Sequence, residues 1–202
     1  MCEAVLTVNV TLGSRTVHSF YPQPGGMDGA FRVALTGTPG TGKSSVAELL
    51  VNHGFKVSSI QKIANEAHAI EETDPSDGAH PIDMEIMLKH INESWKKSPS
   101  EIELVDGHLS HFLPVDAVIV LRCKPEILRK RLETRGYGNL KTEGNIEWEL
   151  LGGVWNEREG EIPWTEFDTS YDEPVVIVSK IIAWIADGFK PTSPEDVIDW
   201  VG

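Results

Sequence analysis

An α/β fold, a parallel sheet with helices on both faces, is what this sequence predicts, and three observations predict it. A strand-length run, Phe31-Arg32-Val33-Ala34-Leu35-Thr36, leads into a glycine-rich loop, and Val46, Leu49 and Leu50 then follow at helical spacing. From there strand-like and helix-like stretches alternate, the pattern of parallel strands joined by crossover helices. Ala117-Val118-Ile119-Val120-Leu121 is apolar without a break, as a strand covered on both faces must be.

Residues 1–26 stand apart from this pattern. Leu6, Val8, Val10 and Leu12 alternate with polar residues and read as one strand, and Pro22-Gln23-Pro24-Gly25-Gly26 reads as a linker. The segment is an extension, or the start lies at Met27. The core then begins with a strand at 31–36 and a helix at about 42–53 that Gly54 ends. Phe55-Lys56-Val57 is a short second strand, 61–71 is helical, and Thr73-Asp74-Pro75-Ser76-Asp77-Gly78 is an acidic loop. Pro81 opens a further helix whose Met84, Met87, Leu88, Ile91 and Trp95 share one face, read as core. Ser98-Pro99-Ser100 breaks the chain before the strand Ile102–Asp106. The run at 117–121 follows, then a basic helix from Pro125 to about Arg135 and another at 145–158. Trp164–Asp168 is the candidate last strand. Residues 172–187 suit a strand and helix or one helix, and Ser193-Pro194-Glu195-Asp196 starts a short helix in 191–202.

The glycine-rich loop, Gly37-Thr38-Pro39-Gly40-Thr41-Gly42-Lys43-Ser44, fits G-x-x-x-x-G-K-[ST] at every fixed position. Glycines let successive amides turn inward on a phosphate, and the next helix adds its uncapped N–H groups and positive dipole end. Lys43 brings a mobile charge to the β- and γ-phosphates, and the Ser44 hydroxyl suits Mg²⁺. The motif implies a bound nucleoside triphosphate. Asp106, at the carboxyl end of a core strand, would lie beside this loop and hold Mg²⁺ directly or through water. His108, in Asp106-Gly107-His108, could position an acceptor or water there. His111 lacks such a setting. Six of the 18 basic residues fall within 122–135 (Arg122, Lys124, Arg129, Lys130, Arg131 and Arg135), and fixed guanidinium groups stabilise transferring phosphoryl charge. Arg129 and Lys130 read as a solvated helix face. Arg135, just before Gly136-Tyr137-Gly138, could be carried over the phosphates by a hinged segment.

A net charge of -13 argues against a broad nucleic-acid surface and suits a basic partner or solubility alone. Cys2 and Cys123 are the two cysteines, so no disulfide framework is implied and a reducing cytoplasm fits. No apolar run has membrane-spanning length.

Taken together, the phosphate loop, Asp106-Gly107-His108 and Leu132-Glu133-Thr134-Arg135-Gly136-Tyr137 resemble the adenylate kinase isoenzyme 6 family over about residues 31–187. That resemblance implies a three-layer P-loop NTPase fold with a five-stranded parallel sheet, a monophosphate-binding (NMP) region at about 59–83 and a lid at about 134–144. By position, Gly40, Thr41, Gly42, Lys43, Ser44 and Ser45 would hold the ATP phosphates, Ser44 and Asp106 the Mg²⁺, and Arg135 would reach ATP from the lid. Lys43, Asp106, His108 and Arg135 would be catalytic. It places the last strand at Glu166–Thr169 and leaves 172–187 as one helix. It implies adenylate kinase chemistry on AMP or a similar monophosphate, ATPase activity, and a part in small ribosomal subunit and rRNA maturation with a basic ribosomal protein as partner. The alternative is a nucleotide-switched assembly ATPase with little kinase activity; a small-metabolite kinase fits less well. Two departures weaken AMP binding more than ATP binding: Lys62 stands where relatives often carry an acid, and 71–77 contains no arginine.

Overall fold

The computed structural model describes residues 30–72, 80–190, 192–193 and 196–201 in full, and the strands at 6–12 and 15–21 as backbone. Those two strands, β1 (Leu6–Leu12) and β2 (Arg15–Tyr21), pair antiparallel with Val10 opposite Val17. The single strand expected in 1–26 is therefore a hairpin. Met27 and the linker at 22–26 lie outside the described residues.

The main sheet has five parallel strands: β3 (Arg32–Thr36), β4 (Lys56–Ser59), β5 (Glu103–Asp106), β6 (Ala117–Arg122) and β7 (Trp164–Asp168), in the order β4-β5-β3-β6-β7. The first of them in sequence is central in space, with β5 and β6 on either side. Its register sets Leu35 beside Asp106, so the β5 acid arrives at the edge of the loop that follows β3. As its composition predicts, β6 is buried along its whole length.

Helices cover both faces. On one, α1 (Lys43–Asn52) and α7 (Pro174–Ala186) pack over Val33, Leu35, Ile119 and Leu121. On the other, α2 (Ile60–Glu66) and α3 (Met84–Ser94) cover Ala34, Val105, Val118 and Val120. Met87 and Ile91 of α3 are fully buried and Met84, Leu88 and Trp95 partly so, which bears out the apolar face read as core. Each fully buried side chain of this size is worth about 1.5–3 kcal/mol over an exposed one. A third cluster joins α4 (Pro125–Thr134) to α5 (Asn139–Leu150) through Leu128, Leu132 and Ile146. A single turn, α6 (Gly153–Asn156), follows α5.

Four boundaries differ from expectation for local reasons. Helix α2 stops at Glu66 rather than 71, because residues 69–71 pair with 81–83: the Glu71 amide donates to Pro81 O at 2.9 Å and that of Asp83 to Ala69 O at 2.7 Å. Pro81 is drawn into that pairing, and Asp83 starts α3 by accepting from the Ile86 amide at 3.0 Å. Helix α5 begins at Asn139, not 145, so most of the expected lid is helical. Thr142 and Ile146 of this helix are both buried, Ile146 against Leu128 and Leu132 of α4. Lastly, the helix expected in 191–202 is reduced, among the described residues, to a single tight 3₁₀ turn at Asp196, whose amide donates to Ser193 O at 2.9 Å; 197–201 run on as irregular chain whose polar groups are used elsewhere.

Candidate active site

The loop after β3 turns back at Gly37 (φ 136°), where a Cβ would sit 2.3 Å from Leu121 O; only glycine lets the chain pass that close to β6. Helix α1 has no side-chain cap at its N-terminus, which leaves its first amides free to serve an anion in the loop. Lys43 folds back onto the loop, donating to Gly37 O at 2.7 Å and Thr38 O at 3.0 Å. Thr38 O also accepts from the Thr41 amide (3.2 Å) and hydroxyl (2.9 Å). Burial pulls the Lys43 ammonium down to about 8; Arg135 adds to this, and the charges of Asp106 and Glu149 oppose it.

Asp106 lies where the sheet order was expected to put it. Its Oδ1 is buried and, among the described residues, has no hydrogen-bond partner. Burial raises its pKa, and Lys43 nearby lowers it. A buried carboxylate oxygen left unpaired is costly, so this group fits a divalent cation, with the exposed Ser44 hydroxyl as a second hard ligand.

Gly107 (φ 158°) keeps the Asp-x-His turn tight: a Cβ there would meet Ile60 at 2.3 Å. His108 stands at the mouth of the site, open on one side and backed by protein on the other. Partial desolvation, Lys43 and His111 all push its pKa down, so the imidazole is neutral near pH 7. His111, which sequence reasoning set aside, fixes this loop from behind. Its Nδ1 lies 3.0 Å from Thr36 Oγ1 and its Nε2 2.9 Å from Glu157, and the Thr36 hydroxyl is 3.1 Å from His108 O. The i,i+3 spacing of the two histidines was the available signal.

Beside the loop opens a cleft of roughly 480 Å³, bounded by Gly40–Gly42 and Ser45 on one side and by Lys130, Arg131 and Arg135 on the other. Arg135 closes the last turn of α4; its guanidinium is exposed and has no partner among the described residues. Arg131 is committed to structure, donating to Thr169 O at 2.6 Å and Thr169 Oγ1 at 3.1 Å, while that hydroxyl donates to Thr41 O at 2.7 Å. The basic cluster thus splits. Arg129 forms a forked surface pair with Glu143, as its solvated reading predicts. Lys130 faces the cleft instead of a plain solvated face. Arg122 is buried among carboxylates and cannot serve a phosphate here.

In the segment 59–83, Ser59 ends β4 level with Asp106 and caps α2 by accepting from the Lys62 amide at 3.1 Å. Lys62 itself is exposed, and the loop 73–79 lies outside the described residues.

A family model described as an AAA domain matches residues 33–152. A protein of Methanocaldococcus jannaschii named "Putative adenylate kinase" is 37% identical over 170 residues, covering 84% of this chain and 92% of its own. One of the same name from Archaeoglobus fulgidus is 39% identical over 173 residues, with 84% and 91% covered. The chain belongs to this adenylate kinase-like family. Its fold matches that of shikimate kinase from Acinetobacter baumannii with a TM-score of 0.53 at 14% identity, over 80% of this chain and 96% of that one. The adenylate kinase-like chain is a P-loop phosphotransferase of the nucleotide kinase type.

Proposed function

We propose that this chain transfers the γ-phosphoryl group of ATP to a nucleoside monophosphate, AMP or one close to it. The observation that carries the reading is the set of unspent groups around one loop. Among the described residues, Lys43 is held by carbonyls of its own loop, Asp106 has an unpartnered buried oxygen, and Arg135 at the cleft has no partner. When ATP enters, Lys43 exchanges Gly37 O and Thr38 O for phosphate oxygens, and the amides at the start of α1 hold the chain of phosphates. Asp106 and Ser44 would hold Mg²⁺, which when bound neutralises charge on the phosphates. Arg135 adds a planar fork for the charge that spreads over the transferring group. His108, neutral at the mouth, orients the acceptor. No covalent intermediate is required, because in-line positioning and charge neutralisation supply the rate.

One observation favours a second reading, an ATPase whose nucleotide state governs a partner. Residues 59–83 hold six carboxylates, one lysine and no arginine, so a guanidinium for the acceptor phosphate is missing there. Water would then take the acceptor's place. The net charge of -13 suits a basic partner, and the family resemblance points to a small-subunit ribosomal protein in the cytoplasm.

The experiment is ADP formation from Mg·ATP with and without each monophosphate. Under the first reading AMP accelerates it and two ADP appear per AMP consumed. A rate indifferent to every monophosphate replaces that reading with the second.

A further inference from the structure

Behind the phosphate loop lies a buried ionic group that catalysis does not use. Arg122, at the end of β6, is 2% exposed; it donates through Nε to Glu149 Oε1 (2.7 Å), through Nη1 to Glu166, and through Nη2 to Glu149 O (3.0 Å). Glu149, on α5, is equally buried and takes two further donors on the same oxygen: the Cys123 amide (3.0 Å) and the indole N–H of Trp200 (3.0 Å). Its other oxygen accepts the Thr38 hydroxyl at 2.5 Å. The segment after α7 closes the group from outside. The Ile198 amide donates to Glu166 Oε2 (2.9 Å), Ile198 O accepts from Arg122 (3.2 Å), and the Trp200 ring lies 5.7 Å from the guanidinium carbon.

We propose that residues 196–201 are a positioning clamp for the phosphate loop, with Trp200 acting on Thr38 through Glu149. The line of contacts is continuous. Trp200 and Arg122 fix the Glu149 carboxylate, that carboxylate fixes the Thr38 side chain, and Thr38 O receives both the Thr41 amide and the Lys43 ammonium. Thr38 occupies a position that the loop's motif leaves open, so its hydroxyl is not demanded by phosphate binding. Here it ties the loop to α5 and, through α5, to a segment about 160 residues further along the chain. A loop held this way keeps its amides aimed when Lys43 leaves Thr38 O for a phosphate, which is preorganisation supplied from outside the motif. The inference rests on the reading of this loop as the ATP site.

The test uses Trp200→Phe, which keeps the ring and removes the N–H, Thr38→Val, which keeps the shape and removes the hydroxyl, and the pair combined. Mg·ATP affinity is measured by calorimetry, and amide exchange at Thr41 is followed in the nucleotide-free protein. Each single change should weaken ATP by roughly tenfold to 150-fold, the scale of one hydrogen bond to a charged group. Each should also speed Thr41 exchange without nucleotide. Because both act through one carboxylate, the double variant should be no more than about twofold worse than the weaker single. Ile91→Val, in the core on the far face, should lower Tm while leaving ATP affinity unchanged. Trp200→Phe with a lowered Tm but unchanged affinity and Thr41 exchange would overturn the clamp, as would fully additive penalties. Should Trp200→Phe not fold, Thr38→Val reads the coupling from the other end, as faster exchange of the Trp200 indole proton; no change there also overturns it. Faster Thr41 exchange in a protein that binds no ATP would uphold the clamp and sink the ATP reading instead.

Discussion

The phosphate loop and the 59–83 segment both lie at the carboxyl ends of the strands, level with Asp106, yet they are built in opposite ways. In the loop, Thr38, Thr41 and Lys43 are all tied by hydrogen bonds, and Thr169 braces it from α7's side. Its anion-binding power comes from backbone amides and a helix end, which need little more than the right glycines. Among its described residues, the 59–83 segment is anchored to the core through α2 and Ala67 and Ala69, and held at its ends by Ser59 capping α2 and by the pairing of Ile70 with Ile82. Whatever it recognises must be met by side chains, and its charged ones are mostly acidic. On the proposed reading, donor binding follows from the fold, while acceptor choice rests on a few replaceable residues.

If that contrast holds, the largest losses come from the loop. Lys43→Ala or Ser44→Ala should abolish ATP-dependent turnover, a fall of about 10³-fold or more, while thermal melts remain cooperative. Wild-type turnover in a folded Lys43→Ala protein would remove the ATP assignment. Asp106→Asn should cut turnover about 10²-fold and weaken its Mg²⁺ dependence, as loss of one charge-stabilising group does. His108→Gly should lower kcat more than ATP affinity; parallel losses in both would make His108 structural. Arg135→Lys keeps the charge but not the fork, and a fall of roughly tenfold in kcat/KM is expected from steady-state kinetics.

The lowered Lys43 pKa gives a milder effect with a definite sign. In the empty site the ammonium loses its proton above about pH 8, and polyphosphate favours the charged form. ATP binding above that pH therefore takes up a proton and weakens, by up to about tenfold per pH unit. For folding the sign is opposite: the unfolded chain holds that proton up to its ordinary pKa, so stability gains from Lys43 as pH rises from about 8 towards 10.5. Calorimetry in buffers of differing ionisation enthalpy at pH 8.5 reads the uptake directly. The smallest effect belongs to the other region. Lys62→Ala should leave ATP affinity unchanged and move the acceptor KM by no more than about two- to fivefold, the worth of one exposed charge.

What could be read from the chain alone divides along similar lines. The phosphate loop was legible because its spacing is fixed, and β6 because a strand covered on both faces has no polar position to spare. Arg122 was grouped with phosphate ligands because a basic residue at a strand end looks the same whichever way it points. Only the fold brings Glu149 and Glu166, each from a different element, against it. His111 was passed over because its partners, Thr36 and Glu157, lie 75 and 46 residues away. Residues 139–144 fall outside the helix read at 145–158 because their apolar support, Ile146, Leu128 and Leu132, begins beyond them or belongs to α4. Within 191–202 the helix-start signals yield a single tight turn at Asp196, and it goes no further because the Ile198 amide and carbonyl are claimed by Glu166 and Arg122.

The strand order also sets a timetable. No two neighbours in the main sheet are close in sequence: Lys56 pairs with Glu103, Val118 with Trp164, and Arg32 with Glu103. The β3 strand, which ends in the phosphate loop and buries Leu35 completely, therefore has no strand partner until residues 103–106 have been made. At about 5–20 residues per second of synthesis, that is a wait of roughly 4–14 s with an apolar strand uncovered. The segment that binds phosphate is among the first parts of the main sheet to emerge, and it reaches its final shape only after the strands on both sides of it have arrived.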